Sequence, residues 1–172
     1  MGEQQKTGIG IVGAGVISKI YLQNLNTVFQ NTRVIGIADI IPEAAQARAE
    51  EFGVLALTVD ELLAHPEVEI VLNLTIPAAH AEIAAKAIAL GKSAYNEKPL
   101  ATERADGKQL LADAKAKGVL VGAAPDTFLG GGLQTARKAL DDGLIGTPIG
   151  VDAHMLNHGM EAWHPNPFFF FQ

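Results

Sequence analysis

The stretch Thr7–Asp39 restricts the fold more than any other: TGIGIVGAGVIS, a helical segment, then RVIGIAD. An apolar run, a glycine turn, a helix and a second apolar run ending in an acid form a strand-helix-strand unit with a dinucleotide-binding turn. Two glycine registers fit the G-x-G-x-x-G spacing. Gly8, Gly10 and Gly13 satisfy it formally, but Glu3 to Lys6 ahead of them are too polar for a buried parallel strand. Gly13, Gly15 and Ser18 follow the apolar run Ile9–Val12 and precede Ile17, Ile20, Tyr21, Leu25 and Val28, which recur along one helix face. The second register has the required context. Gly13 gives the tight turn, and Gly15 lets the backbone approach a pyrophosphate. The segment Ala14, Val16 and Ile17 brings that anion to the helix N-terminus, where free amides and the helix dipole favour it. Ser18 stands for the third glycine, whose position controls only how closely helix and strand pack. Asp39 follows about 20 residues later, the offset of an acid that accepts from a ribose 2′-hydroxyl and repels a 2′-phosphate. The expected cofactor is therefore NAD in preference to NADP. The alternative for Asp39 is a turn cap ahead of a helix at Pro42.

Strand and helix patterns alternate through the rest of the chain. Strands are expected at Val34–Ala38, Val54–Leu57, Glu69–Leu74, Lys92–Asn96 and Val119–Ala123. Helices are expected at Val16–Phe29, Pro42–Phe52, Pro77 to Gly91 and Thr102–Lys117. Thr58-Val59-Asp60-Glu61 is a capping box that starts a short helix ending near Ala64. Six strands with intervening helices make an α/β fold, a doubly wound parallel sheet over residues 1–124. Pro125 and the glycines at 130, 131 and 132 then mark a boundary. Residues 125–172 read as the beginning of an incomplete second domain, with a helix at Leu133–Asp142 and a strand around Ile149–Met155. The run Phe168–Phe171 has no turn or cap after it, and a free end of this kind suggests a truncated chain or one whose partner covers the patch.

Charge and composition narrow the partners. The net charge is −6, with no basic footprint for nucleic acid or an anionic membrane surface. Small polar ligands fit better. There is no cysteine, so disulfides and thiolate chemistry are excluded, and the absence of a secretory pattern at the start suggests a cytoplasmic home. No apolar run approaches the roughly 20 residues of a membrane span.

In a doubly wound sheet the ligand lies outside the carboxyl ends of the strands, so residues just after each strand are the candidates. Beside the glycine turn and Asp39 these are Thr75, Ile76, Pro77 and His80, then Glu97-Lys98-Pro99, and Asp126. His80 is read either as a ligand neighbour or as the donor of a structural hydrogen bond. Lys98 at a strand end would point its ammonium into the cleft and hydrogen-bond a substrate hydroxyl, and burial there would help it assist removal of the hydroxyl proton. His154, His158 and His164 invite a metal reading, but His154 falls on an expected strand and Gly159 and Pro165 interrupt the spacing, so no metal is expected. His164 beside Trp163 is a candidate substrate contact, with a packed tryptophan and a bystander histidine as the alternative.

The combination Gly13-Ala14-Gly15-Val16-Ile17-Ser18, Asp39, Thr75-Ile76-Pro77 with His80, Gly91-Lys92 and Glu97-Lys98-Pro99-Leu100-Ala101 resembles the N-terminal half of the Gfo/Idh/MocA family of sugar and cyclitol oxidoreductases. Ala124 to Gly130, Ile145-Gly146 and Trp163-His164-Pro165 resemble one branch of it. The resemblance implies NAD(P)-dependent oxidation of an alcohol carbon on a sugar-like substrate, with Lys98 in the active site and Glu97 near the nicotinamide ribose. It also implies a larger second domain that supplies a histidine and an aspartate for acid-base work and often the interface of a homo-oligomer. A dinucleotide-binding fragment or sensor without catalysis is the alternative function. A methyltransferase is a third reading, in which the Glu-Lys-Pro turn has no purpose.

Overall fold

The computed structural model describes residues 6–162 and Pro167. Its first strand, β1 (Thr7–Val12), feeds the glycine turn and then helix α1 (Ser18–Thr27). There follow β2 (Thr32–Ala38), α2 (Pro42–Phe52), β3 (Leu55–Leu57), α3 (Val59–Ala64), β4 (Ile70–Asn73), α4 (Pro77–Ala89), β5 (Ser93–Asn96), α5 (Arg104–Lys117) and β6 (Val121–Ala123). All five strand pairings are parallel, and the order across the sheet is β3-β2-β1-β4-β5-β6. The strand order reverses between β1 and β4, which is where such a sheet opens a ligand crevice.

Helices cover both faces of this sheet, and the core divides accordingly. One apolar cluster joins Ile9, Ile11, Leu22, Ile37, Ala49, Leu72 and Leu74 under α1 and α2. The other joins Val12, Leu62, Leu63, Val71, Ile83, Ile88 and Leu110 under α3, α4 and α5. Burial on two faces explains why the central strands β1, β2 and β4 read as apolar runs rather than alternating ones. The expected capping box starts α3: the Thr58 hydroxyl accepts from the Glu61 N–H at 3.2 Å, and the Glu61 carboxylate accepts from the Thr58 N–H at 2.8 Å.

Gly8 and Gly10 lie inside β1 and do not belong to the turn. A side chain at Gly8 would meet the Glu67 carbonyl oxygen at 1.7 Å, and one at Gly10 the Leu62 side chain at 2.8 Å. The doubled glycine pattern thus serves the packing of α3 and the loop after it onto the strand.

Helix α1 departs from expectation in its rotation. Ser18 and Leu22 are buried with Tyr21 and Leu25 half-buried, whereas Ile17, Ile20 and Val28 are exposed. The inward face is the series 18, 21, 22, 25. It starts one residue later than the apolar pattern suggests because the tight approach at Ser18 fixes the phase of the helix.

The chain divides into two compact units, Met1–Asp126 and Thr127–Gln172. The second holds a 3-10 turn (Thr127–Leu129) and helix α6 (Gly131–Asp141). The strand expected around Ile149–Met155 is absent among the described residues. Ile149 and Val151 are 102% and 90% exposed, and an extended segment without a neighbour to accept its ladder hydrogen bonds is not a strand. The expected aromatic run Phe168–Phe171 and the pair Trp163-His164 fall outside the described residues. No helix among the described residues is long and apolar enough to cross a membrane.

Candidate functional site

Gly13 closes the turn after β1 at φ 106°, a left-handed conformation open to glycine. A Cβ there would lie 2.6 Å from the Leu74 carbonyl carbon and oxygen, so the turn is pressed against the end of β4. Gly15 differs in both respects. Its φ is not in the left-handed region, it is exposed, and a Cβ on it would meet nothing within 4 Å. Neither backbone conformation nor protein packing demands glycine at 15, which leaves the approach of a ligand as the reason for it. Ser18 is completely buried and its hydroxyl donates to the Gly15 carbonyl at 2.7 Å, fixing the turn from below. No side chain caps the N-terminus of α1; the Ser18 N–H turns back to the Gly15 carbonyl at 3.1 Å, and the amides of Gly15, Val16 and Ile17 just before it are left for an anion.

Asp39 makes the expected turn cap and a second backbone hydrogen bond. One carboxylate oxygen accepts from the Ile41 N–H at 2.9 Å, the turn cap before α2. The other accepts from the Ala14 N–H at 2.7 Å and ties the end of β2 to the glycine turn. A carboxylate offers about four lone-pair sites, so two backbone bonds leave capacity for ribose hydroxyls. Val16, Ile40 and Ile76, which follow β1, β2 and β4, are exposed at 70%, 92% and 59%.

Beyond the strand-order reversal, β4 and β5 end in register on Asn73 and Asn96, both fully buried. The Asn73 amide donates to the Asn96 side-chain oxygen at 3.0 Å and to the His80 carbonyl at 3.1 Å. Its own oxygen accepts from the Thr75 hydroxyl at 2.7 Å. The Asn96 amide donates to the Leu100 carbonyl at 2.8 Å. Asn73 opens the candidate stretch Asn73–His80 after the strand, but Asn96 and its pairing with Asn73 are what sequence reasoning passed over. A polar side chain ending each of two adjacent buried strands was the available signal.

His80 is completely buried, with Nδ1 2.6 Å from the Pro99 carbonyl oxygen and Nε2 3.0 Å from that of Thr75. Both ring nitrogens are committed to the protein, so the geometry favours the structural hydrogen bond over ligand contact. Together His80 and Asn96 hold the turn Glu97 to Leu100, whose Lys98–Pro99 peptide is cis.

On that turn the Glu97 carboxylate accepts from the Tyr21 phenol at 2.8 Å through one oxygen and from the Lys98 N–H at 2.9 Å through the other. Burial, the hydrogen bond to Glu97 and the Glu97 charge push the Tyr21 phenol well above the usual tyrosine range, with smaller contributions from Tyr95 and Asp126. Lys98 is exposed, so the described residues do not supply the burial that its proton-removal role requires. Asp126 is exposed as well. Among the described residues no group of three or more histidines or carboxylates is arranged to hold a metal, and His154 pairs only with Asp152 at 3.1 Å.

A β3-β2-β1-β4-β5-β6 parallel sheet whose glycine turn, acid and uncapped helix meet at the reversal is a dinucleotide-binding domain. The pattern of the oxidoreductase family with an NAD-binding Rossmann fold matches residues 7–124, and the chain belongs to that family. It is 34% identical to an inositol 2-dehydrogenase of Agrobacterium fabrum over 92% of this chain and 48% of that one. It is 32% identical to an inositol 2-dehydrogenase/D-chiro-inositol 3-dehydrogenase of Lactiplantibacillus plantarum over 91% and 46%. The crystal structure of myo-inositol dehydrogenase from Lactobacillus casei in complex with NAD(H) and myo-inositol superposes with a TM-score of 0.76 at 26% identity, over 84% of this chain and 44% of that one. The chain spans about half the length of the curated relatives it matches.

Proposed function

We propose that the chain is the dinucleotide-binding portion of a dehydrogenase that transfers hydride from an alcohol carbon of a sugar, polyol or cyclitol to NAD. The observation that carries the reading is Gly15: an exposed glycine with neither a conformational nor a packing reason, at the start of an uncapped helix and beside Asp39. When bound, the nicotinamide supplies the hydride acceptor. Gly13 and Ala14 shape the turn, their own amides held by Ala38 and Asp39, and the amides of Gly15, Val16 and Ile17 bind the pyrophosphate. Asp39 accepts from the adenine ribose and repels a 2′-phosphate, which favours NAD over NADP. Thr75, Ile76 and Pro77 line the cleft where the strand order reverses, with His80 behind them. Glu97 accepts from the nicotinamide ribose, and Lys98 hydrogen-bonds and orients the substrate hydroxyl. Asp126 and His164 are proposed substrate contacts. The names of the relatives support a cyclitol as substrate, and a cytoplasmic homo-oligomer of the longer parent accords with the family resemblance.

Calorimetric titration with NAD, NADP and S-adenosylmethionine tests the ligand. NAD is expected to bind tightest, and a preference for NADP would overturn the role of Asp39. A steady-state assay with NAD against myo-inositol and a panel of polyols tests turnover. The second reading, dinucleotide binding without turnover, is favoured by the fact that the chain spans under half the length of the relatives. Appreciable turnover by the 172-residue chain would remove it.

A further inference from the structure

The bond between Tyr21 and Glu97 joins the two halves of the cleft. Tyr21 stands on α1, the helix that carries the pyrophosphate end of the site, and Glu97 follows β5. Neighbouring strands lie about 4.8 Å apart, so the ends of β2 and β5, three spacings across the sheet, are roughly 14 Å apart. A dinucleotide with one ribose on Asp39 and its pyrophosphate on the glycine turn therefore brings its second ribose to the β4–β5 side. Glu97 is the carboxylate there.

A glutamate side chain on a turn ordinarily samples several rotamers. Glu97 does not have that freedom, because the phenol occupies Oε1 while the Lys98 N–H occupies Oε2. The carboxylate plane is set by two donors from different parts of the fold, and its remaining lone pairs point in fixed directions. Burial and the negative charges of Glu97 and Asp126 keep the phenol protonated, so it acts as a permanent donor to Glu97. Tyr95, the neighbouring phenol on β5, is likewise held protonated by burial, Asp126 and Glu97.

We propose that Tyr21 is a positioning residue of the cofactor site, orienting the Glu97 carboxylate toward the second ribose and, through the Lys98 N–H, fixing the turn that presents Lys98. The role rests on the dinucleotide reading above. It acts on the nicotinamide half of the ligand and leaves the adenosine half alone, so NAD and ADP separate the two. ADP engages Asp39 and the glycine turn but has no second ribose.

The test is calorimetric titration of the 172-residue chain and its Tyr21→Phe, Glu97→Gln and doubly substituted variants with NAD and with ADP. Tyr21→Phe is expected to weaken NAD about tenfold, the scale of one hydrogen bond to a charged group, with ADP unchanged. The double variant is expected to be no weaker for NAD than Glu97→Gln alone, because both substitutions remove one device. In a Tyr95→Phe background, Tyr21 ionisation read by ultraviolet absorbance at about pH 10.5 is expected to rise when Glu97→Gln is added. Equal loss of NAD and ADP would mean that Tyr21 only holds α1 in place, and the positioning role would be overturned. Unchanged NAD affinity in Tyr21→Phe, or ionisation indifferent to Glu97→Gln, would overturn it as well. If the unsubstituted chain bound neither ligand, the dinucleotide reading itself would fall and take this role with it.

Discussion

At the scale of single residues, two glycines two positions apart make opposite demands. Gly13 is required by the protein, since its φ of 106° and the 2.6 Å approach to the Leu74 carbonyl exclude any side chain. Gly15 is free of both constraints. Gly13→Ala is therefore expected to destabilise the fold by about 3 kcal/mol or more, combining left-handed strain with backbone overlap. Gly15→Ala is expected to leave stability within about 0.5 kcal/mol and to weaken NAD by at least roughly tenfold, since its methyl group would stand where the pyrophosphate lies. Urea unfolding and calorimetric titration on both variants check the contrast. A Gly15→Ala chain that unfolds early, or that binds NAD normally, would contradict the ligand-based reason for this glycine. The sequence assigned the tight turn to Gly13 and the ligand approach to Gly15, but it could not show that Gly13 is also closed by packing and Gly15 open. That distinction depends on the end of β4, some 60 residues away, which reaches Gly13 and misses Gly15.

At the scale of elements, the buried asparagine pair connects sheet and site. Asn73 and Asn96 end neighbouring strands in register, and through them the loop after β4, the start of α4 and the turn after β5 share one hydrogen-bond network. Such a network is stable only while every member has a partner. Asn73→Leu keeps the volume but strips donors from the Asn96 oxygen and the acceptor from Thr75, and it is expected to cost about 2–3 kcal/mol in urea unfolding. A loss under about 0.5 kcal/mol would show that water replaces the missing partners. The order of elements was legible because the strands β1, β2 and β4 carry apolar runs closed by a polar or glycine turn, and Thr58 to Glu61 announced α3 outright. The network was not. Asparagine at a strand end reads locally as a turn former, and only the parallel register brings these two side chains together. The rotation of α1 was illegible for a similar reason. Ile17 and Ile20 fit an apolar stripe as well as Tyr21 and Leu25 do, and contact with the sheet decides between them.

At the scale of the whole molecule, burial is uneven along the chain. Among the described residues every completely or nearly completely buried apolar side chain lies at or before Ala124, whereas α6 has none and Leu144, Ile145, Val151, Met155 and Leu156 are all exposed. The six-stranded sheet, both core clusters and every proposed cofactor contact belong to the unit Met1–Asp126. Folding free energy scales with apolar area removed from water, so that unit carries the stability of the described chain. A polypeptide ending at Asp126 is accordingly expected to unfold cooperatively, with a thermal midpoint within about 5 °C of the 172-residue chain, and to bind NAD within about twofold of its affinity. It is also expected to be the more soluble of the two, because it lacks the exposed apolar residues of the second unit. Differential scanning calorimetry, calorimetric titration and light scattering at matched concentration decide the matter. A fragment that folds but loses NAD would place an essential cofactor contact after Asp126. One that fails to fold would mean that residues 127–172 support the sheet although none of the described ones among them is a buried apolar side chain.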